Sequence, residues 1–159
     1  MAKTDDPLKL IAESLVLPSD RPYGKAWQPW QREFFEAIFA VQDKRSRFRL
    51  CYSERRRGES KTEDCAAAAL ADLLTGPDWH RNYCVAADTD QAALLIDSIR
   101  GFQSRSRILT HLDVQRNIVR NPVTNAELRV MSADDRTAYG VRPRRVFFDE
   151  LSLQPDDRL

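Results

Sequence analysis

The sequence predicts a layered α/β domain with a mostly parallel sheet, and three observations carry that prediction. Apolar runs of strand length at 47–53, 82–87 and 146–149 are separated by stretches with helical periodicity. Their order, strand, helix, strand, helix, then a later strand, is that of a sheet whose parallel neighbours are joined by helical crossovers. Two segments of unusual chemistry, a basic turn and an acidic pair, stand at the carboxyl ends of predicted strands, where ligands bind on such sheets.

The elements follow in chain order. Residues 6–17 form an amphipathic helix: Asp6 caps it, Pro7 sits in its first turn, Leu8, Ile11 and Leu15 share a face, and Pro18 ends it. A loop covers 18–27. Pro29 opens a second helix with Trp30, Phe34, Ile38 and Phe39 at helical spacing. The first strand, 47–53, runs into the charged stretch 54–57. An Ala-rich helix at 60–74 is stopped by Gly76 and Pro77. A second strand covers 82–87, and Asp88 or Asp90 caps a third helix that runs to about Arg105. Residues 118–120 and 127–131 flank the turn 121–125 as a hairpin. Residues 132–145 are a polar loop, and 146–149 form an apolar strand that ends in acids.

Composition narrows the function classes. A chain of 159 residues holds one domain with a sizeable core. Lys plus Arg is 25 against 24 for Asp plus Glu, a net charge of +1, so a globally basic nucleic-acid coat is excluded. Within the basic set, 20 Arg outnumber 5 Lys, and Arg is the better fork for phosphates and carboxylates. The longest uncharged stretch, 65–71, is too short to span a bilayer, and the N-terminus lacks a signal-peptide apolar core. Three cysteines without a C-x-x-C pair, and only His80 and His111 as histidines, allow no zinc site and imply reduced thiols.

The first chemical constellation is Arg55, Arg56, Arg57, Gly58, Glu59, Ser60, Lys61 and Thr62. It leaves a predicted strand and enters a helix, which is the setting of a phosphate-binding loop. Unpaired N–H groups at the helix start and the positive end of its dipole attract an anion. Lys61 would reach the β- and γ-phosphates, and the Thr62 hydroxyl would ligate Mg²⁺. Arg55 stands where G-x-x-x-x-G-K-[ST] has its first Gly and Ser60 where it has its second. The competing interpretation is a solvated basic turn. The second constellation is Val146, Phe147, Phe148, Asp149, Glu150. Asp149 would hold the Mg²⁺ through water, and Glu150 would orient and deprotonate the attacking water.

Together these residues resemble the ATPase region of the large terminase subunit of tailed phages, the motor that drives DNA into empty capsids. Pro29, Trp30, Gln31 is similar to that family's adenine-side motif. Arg57, Gly58, Glu59, Ser60, Lys61, Thr62 is similar to its Arg-containing phosphate loop. Ala87, Asp88 with Gln91, Ala92 resembles the segment after the second strand. Ser132, Ala133, Asp134, then Gly140, then Phe147, Phe148, Asp149, Glu150 resembles the approach to the acidic strand. The resemblance implies a three-layer P-loop NTPase-type (ASCE) fold. It implies ATP and Mg²⁺ as cofactors, Gln31 as the group that hydrogen-bonds adenine, and Arg57 as the group that touches the γ-phosphate or senses its loss. It further implies double-stranded DNA, a portal protein and a small terminase subunit as partners, a homo-oligomeric ring, no membrane, and the cytoplasm of an infected bacterial host.

On this basis residues 1–26 are an N-terminal helix and lead-in loop, and 27–159 the N-terminal part of the ATPase domain, with the coupling strand and nuclease domain absent. In this class the strand after the acidic one lies between the phosphate-loop strand and the acidic strand. Its absence would leave a gap or a non-native closure, because unpaired ladder groups and exposed apolar faces are costly. The expectation is a fragment with poor ATPase activity. Two alternatives stand beside it: a non-catalytic remnant acting as a nucleotide-binding assembly module, and another P-loop helicase or translocase.

Other residues have competing readings. Residues 44–61 carry eight basic side chains against two acids, which would face nucleotide, DNA or solvent. Arg136, Arg142, Arg144 and Arg145 include a candidate arginine finger, with pairing to Asp134 or Asp135 as the structural alternative. Trp27, Trp30, Phe34, Phe35 and Phe39 read as core, His80 and His111 as surface or loop residues, and Cys51 and Cys84 as small buried hydrophobes in strands.

Overall fold

The computed structural model describes residues 6–56, 58–132 and 142–149. Asp6 caps α1 (Pro7–Lys9) through hydrogen bonds from the Leu8 and Lys9 amides, and a π-helical turn (Leu10–Ser14) continues it. The expected single helix over 6–17 is therefore shorter. The chain is already extended at Leu15, where the Tyr23 amide bonds back to its carbonyl. A 3₁₀ turn (Tyr23–Lys25) follows. Its Gly24 is required by close approach, since a Cβ there would meet Ala12 Cβ at 2.6 Å.

Helix α2 (Pro29–Phe39) opens at Pro29 as expected. A short antiparallel pair, β1 (Val41–Gln42) and β2 (Arg45–Ser46), follows it. Then come α3 (Lys61–Thr75), β3 (Arg81–Ala86) and α4 (Thr89–Arg105), whose Asp88 cap accepts from the Gln91 amide at 2.8 Å. After a 3₁₀ turn (Arg107–Leu109) come β4 (Asp113–Val114), β5 (Ile118–Asn121), β6 (Ala126–Ser132) and β7 (Arg145–Phe148).

The main sheet has the order β4-β5-β6-β3-β7. Its centre is parallel: β3 pairs with β6 in the register Cys84↔Val130 and with β7 in the register Cys84↔Phe147. The expected hairpin is present and adds β5 antiparallel to β6, and β4 extends it, so the whole sheet is mixed. Alternate residues of β6 (Ala126, Leu128, Val130) are buried with Ile96 and Ile99 of α4 and with the alanines and leucines of α3. Small residues on α3 let it lie close to its neighbours, which brings its N-terminus to the carboxyl end of β7. Leu10, Ile11, Leu15 and Tyr23 belong to the same core.

One expected strand is not a strand. Residues 47–53 are irregular and make no ladder with any described residue. Phe48, Leu50 and Tyr52 alternate as a strand's would, but they are 45%, 82% and 68% exposed. A groove of about 700 Å³ is lined both by this segment and by β7. A strand-like pattern becomes a strand only where a neighbour supplies ladder partners. Cys51, expected in that strand, is accordingly half-buried in irregular chain, whereas Cys84 is buried on β3 as expected.

Candidate active site

The basic turn folds into a tight loop at the N-terminus of α3. Gly58 has φ +84° and Ser60 has φ +52°, so two nearby residues adopt left-handed backbone. At Gly58 this is free of a Cβ penalty, but at Ser60 it is not. The Arg56 amide donates to the Glu59 carboxylate at 3.0 Å, and the Glu59 amide donates to the Arg56 carbonyl at 3.4 Å. Lys61 and Thr62 are the first residues of a 15-residue helix, where the amides and dipole favour an anion. The Lys61 ammonium donates to the Arg55 carbonyl at 3.1 Å, which holds it over the loop.

Thr62 and Asp149 meet. The Thr62 hydroxyl donates to Asp149 Oδ2 at 2.8 Å. Asp149 is buried at the end of β7, and its amide continues the ladder to the Val85 carbonyl at 2.9 Å. A hydroxyl and a carboxylate oxygen beside an anion-attracting helix start are hard donors that suit Mg²⁺, which takes few protein ligands and completes its shell with water and phosphate. Among the described residues no group of three or more His, Cys, Asp or Glu forms a metal cage. Arg57 and Glu150, expected at the γ-phosphate and the attacking water, lie outside the described residues, as do Asp134, Asp135, Arg136 and Gly140.

Gln31 is buried in the first turn of α2. Its Oε1 accepts from the Gln28 amide at 2.9 Å, and its Nε2 donates to both oxygens of Asp64 at 3.0 and 3.2 Å. Asp64, fully buried in the first turn of α3, was not singled out by the sequence reading. It also accepts from the Tyr23 hydroxyl and the Arg55 guanidinium. Burial pushes the Asp64 carboxyl up, and the Tyr23, Arg55 and Gln31 donors pull it only part of the way back. Burial, reinforced by the Asp64 charge, drives the Tyr23 hydroxyl far up, so Tyr23 remains a donor. The overlooked signal was positional: Asp64 and Asp72 bracket the uncharged run 65–71, so an acid stands at each end of the buried stretch of α3.

Aromatic side chains expected in the core divide by role. Phe35 is buried, and Trp27 and Phe34 pack against the core. Trp30 is 38% exposed and stacks on Arg55, whose guanidinium carbon lies 4.7 Å from its ring centre. Arg144 and Arg145 do pair structurally, but with Asp72: their Nε atoms donate to it at 3.1 and 2.7 Å. His80 lies in the loop before β3, as expected, but is buried there, near the same carboxylate.

A parallel-centred α/β sheet, with a strand-end acid that meets the start of α3 through Thr62 and Asp149, is consistent with a fold of the P-loop, ASCE type. The family model described as the terminase large subunit, ATPase domain, matches residues 29–159, and the chain belongs to that family. Among solved structures, the HK97 bacteriophage large terminase is similar with a TM-score of 0.78 and 19% identity over 94% of this chain. The Thermus phage P74-26 large terminase ATPase domain is similar with a TM-score of 0.50 and 21% identity over 62% of this chain. At these identities the likeness is one of fold. The chain spans 31% of the HK97 chain and 47% of the P74-26 chain. No curated protein sequence matches it. Among the described residues, no helix is long and apolar enough to cross a membrane.

Proposed function

We propose that the loop 57–62 and the end of β7 bind Mg·ATP, and that the domain hydrolyses its γ-phosphate as the energy-converting part of a motor that moves double-stranded DNA into a procapsid. The observation that carries this is the Thr62–Asp149 hydrogen bond of 2.8 Å. It supports a single site built from two segments far apart in sequence.

The residue roles follow from the chemistry. Gly58, Glu59 and Ser60 shape the loop, and the amides at the α3 N-terminus, those of Lys61 and Thr62 among them, would face the phosphates. Lys61 leaves the Arg55 carbonyl for the β- and γ-phosphate oxygens. Thr62 would ligate Mg²⁺ and Asp149 would hold it through water, and the ion would neutralise charge on the phosphates. Glu150 accepts a proton from water aligned with the γ-phosphate, and Arg57 stabilises the charge that develops there. Gln31 stands on the adenine side. The family supplies the wider setting: a portal protein, a small terminase subunit and a ring of copies, in the cytoplasm of an infected bacterial host.

Ser60, with a left-handed backbone at a position better suited to Gly, favours a second reading, a nucleotide-binding assembly module with little turnover. One experiment separates the two. Thermal shift with Mg·ATP reads binding, with Lys61→Ala as control. Steady-state phosphate release reads hydrolysis, with Glu150→Gln as control. Binding with Glu150-dependent release supports the ATPase; binding without release supports the module; no Lys61-dependent binding overturns both.

A further inference from the structure

The Asp64 carboxylate is the meeting point of three segments that have no contact in sequence. Tyr23 comes from the 3₁₀ turn, Gln31 from the first turn of α2 and Arg55 from the start of the phosphate loop. Arg55 occupies the position where a glycine would begin the loop, and its side chain is turned inward, 7% exposed. Besides Asp64, it donates to the Ser53 hydroxyl at 2.9 Å and to the Glu59 carbonyl at 3.2 Å. Its guanidinium also stacks against Trp30 and Phe34, at 4.7 and 4.9 Å from their ring centres. The backbone carbonyl of the same residue holds the Lys61 ammonium.

We infer that the Arg55–Asp64 pair is a clamp that positions the phosphate loop, and that Gln31 and Tyr23 tie this clamp to the base-side helix α2. The pair closes the loop upon the helix it feeds, because Arg55 stands before the left-handed residues Gly58 and Ser60 and Asp64 after them. Closing a segment in this way removes its alternative conformations before a ligand arrives, and so lowers the ordering cost of binding. A buried ion pair does this only when its remaining polar atoms are satisfied. Here both carboxylate oxygens have donors. The planar fork of Arg reaches Asp64, Glu59 and Ser53 together, which a Lys cannot.

Gln31 then has a different task from reading adenine. Both ends of its amide are engaged, one by the Gln28 amide and one by Asp64. Arg55, Asp64 and Gln31 are positioning residues that act on the nucleotide through the loop. This rests on reading 57–62 as the phosphate cradle.

The test compares affinities of the purified 159-residue chain for Mg·ATP, Mg·GTP and inorganic tripolyphosphate in wild type, Arg55→Lys, Asp64→Asn and Gln31→Ala. Measurements are made well below each variant's melting temperature, with ligand-free melting recorded alongside. The clamp predicts that each variant loses affinity for all three ligands by the same factor, about tenfold. It also predicts that Arg55→Lys combined with Asp64→Asn loses no more than either alone. Variants that melt earlier but bind as wild type does would assign the cluster to stability only and overturn the clamp. Loss of ATP binding in Gln31→Ala with tripolyphosphate binding intact would make Gln31 a base reader and overturn its place in the clamp. If wild type binds none of the ligands, the cradle reading itself fails and the clamp with it. If Asp64→Asn does not fold, Arg55→Lys and Gln31→Ala carry the same comparison.

Discussion

The Thr62 hydroxyl donates to the Asp149 carboxylate at 2.8 Å, joining the first turn of α3 to the end of β7 across 87 positions of sequence. Neither side chain is where it is by local preference alone. Thr62 is carried by an Ala-rich helix that packs closely on its neighbours, and Asp149 is fixed by the ladder bond of its own amide to Val85. Thr62→Val keeps the shape and removes the donor. It should weaken the ligand-free fold by about 1–3 kcal/mol, because the buried Asp149 carboxylate loses one of its donors. It should also abolish the Mg²⁺ dependence of ATP affinity, whereas Thr62→Ser keeps both. Urea unfolding and Mg²⁺ titrations of nucleotide binding measure the two effects. A Thr62→Val chain with unaltered Mg²⁺ dependence would remove Thr62 from the site.

Lys61 is the cation best placed for transferred phosphate, at the first position of α3. Its replacement by Ala removes a charge that strengthens its hold as the transition state forms. Phosphate release should fall by roughly 10²–10³-fold. Circular dichroism should not change, because the group lost at the Arg55 carbonyl lies in a half-buried loop. A fall of less than tenfold would place the catalytic charge elsewhere.

The parts of the fold legible in sequence are those whose signal is local. Pro29 starts α2, Asp88 caps α4, and the turn between β5 and β6 brings adjacent strands together, each needing only its neighbours. The segment 47–53 shows the limit. Its alternating pattern is a strand's, but pairing is decided by what lies alongside, and no described strand gives it ladder partners. The site divides in the same way. Lys61 and Thr62 are marked by their own motif and Asp149 by its apolar approach. The Asp64 cluster is not, since its acid meets Tyr23 from 41 positions away and Arg55 from nine, and no linear spacing encodes that convergence.

Ser60 offers a gain-of-function test. Its left-handed backbone costs an L-residue about 1–2 kcal/mol. Ser60→Gly relieves this but adds about 0.5–1 kcal/mol of unfolded-chain entropy. Global stability should therefore rise by no more than about 1.5 kcal/mol. Affinity for Mg·ATP should rise more clearly, because the Cβ beside the anion is gone. Denaturant unfolding and nucleotide titration of the same sample separate the two. Weaker binding in Ser60→Gly would show that the hydroxyl itself contributes a contact.

Asp72 is the structural counterpart of Asp64, at the far end of the uncharged run of α3. It is buried and accepts from Asn82 Nδ2 at 2.8 Å and from the Nε atoms of Arg144 and Arg145. Arg145 also donates to the Ile38 carbonyl at 2.9 Å, so this carboxylate anchors the start of β7 to both α3 and α2. Asp72→Ala removes the shared acceptor and should cost about 1–3 kcal/mol in equilibrium unfolding, below the range for a fully buried pair because both arginines keep contact with solvent. Asp72→Asn, which retains an acceptor, should cost less. Equal stability of Asp72→Ala and wild type would mean that Arg144 and Arg145 find solvent at no penalty.

Glu127 sets a pH dependence with a definite sign. Burial alone would raise its carboxyl, but the bonds from Arg129 and the charge of Arg120 outweigh it and hold Glu127 below the ordinary glutamate value of 4.5. The geometry is a cross-strand pair: Arg120 on β5 stands opposite Glu127 on β6 and donates at 3.0 Å, while Arg129, two residues along β6, donates to the other oxygen at 3.2 Å. A carboxyl depressed by folding binds fewer protons in the native state than in the unfolded one. Its contribution is therefore fully present above the unfolded value and disappears as pH falls through the lower folded value. Melting temperatures of wild type and Glu127→Gln should differ in favour of wild type at neutral pH, and the two curves should converge below 4.5. Both arginines are partly exposed, so added salt should shrink the neutral-pH difference. A difference that persists unchanged into acid would trace the effect to packing of the longer-range sheet contacts and not to the charge.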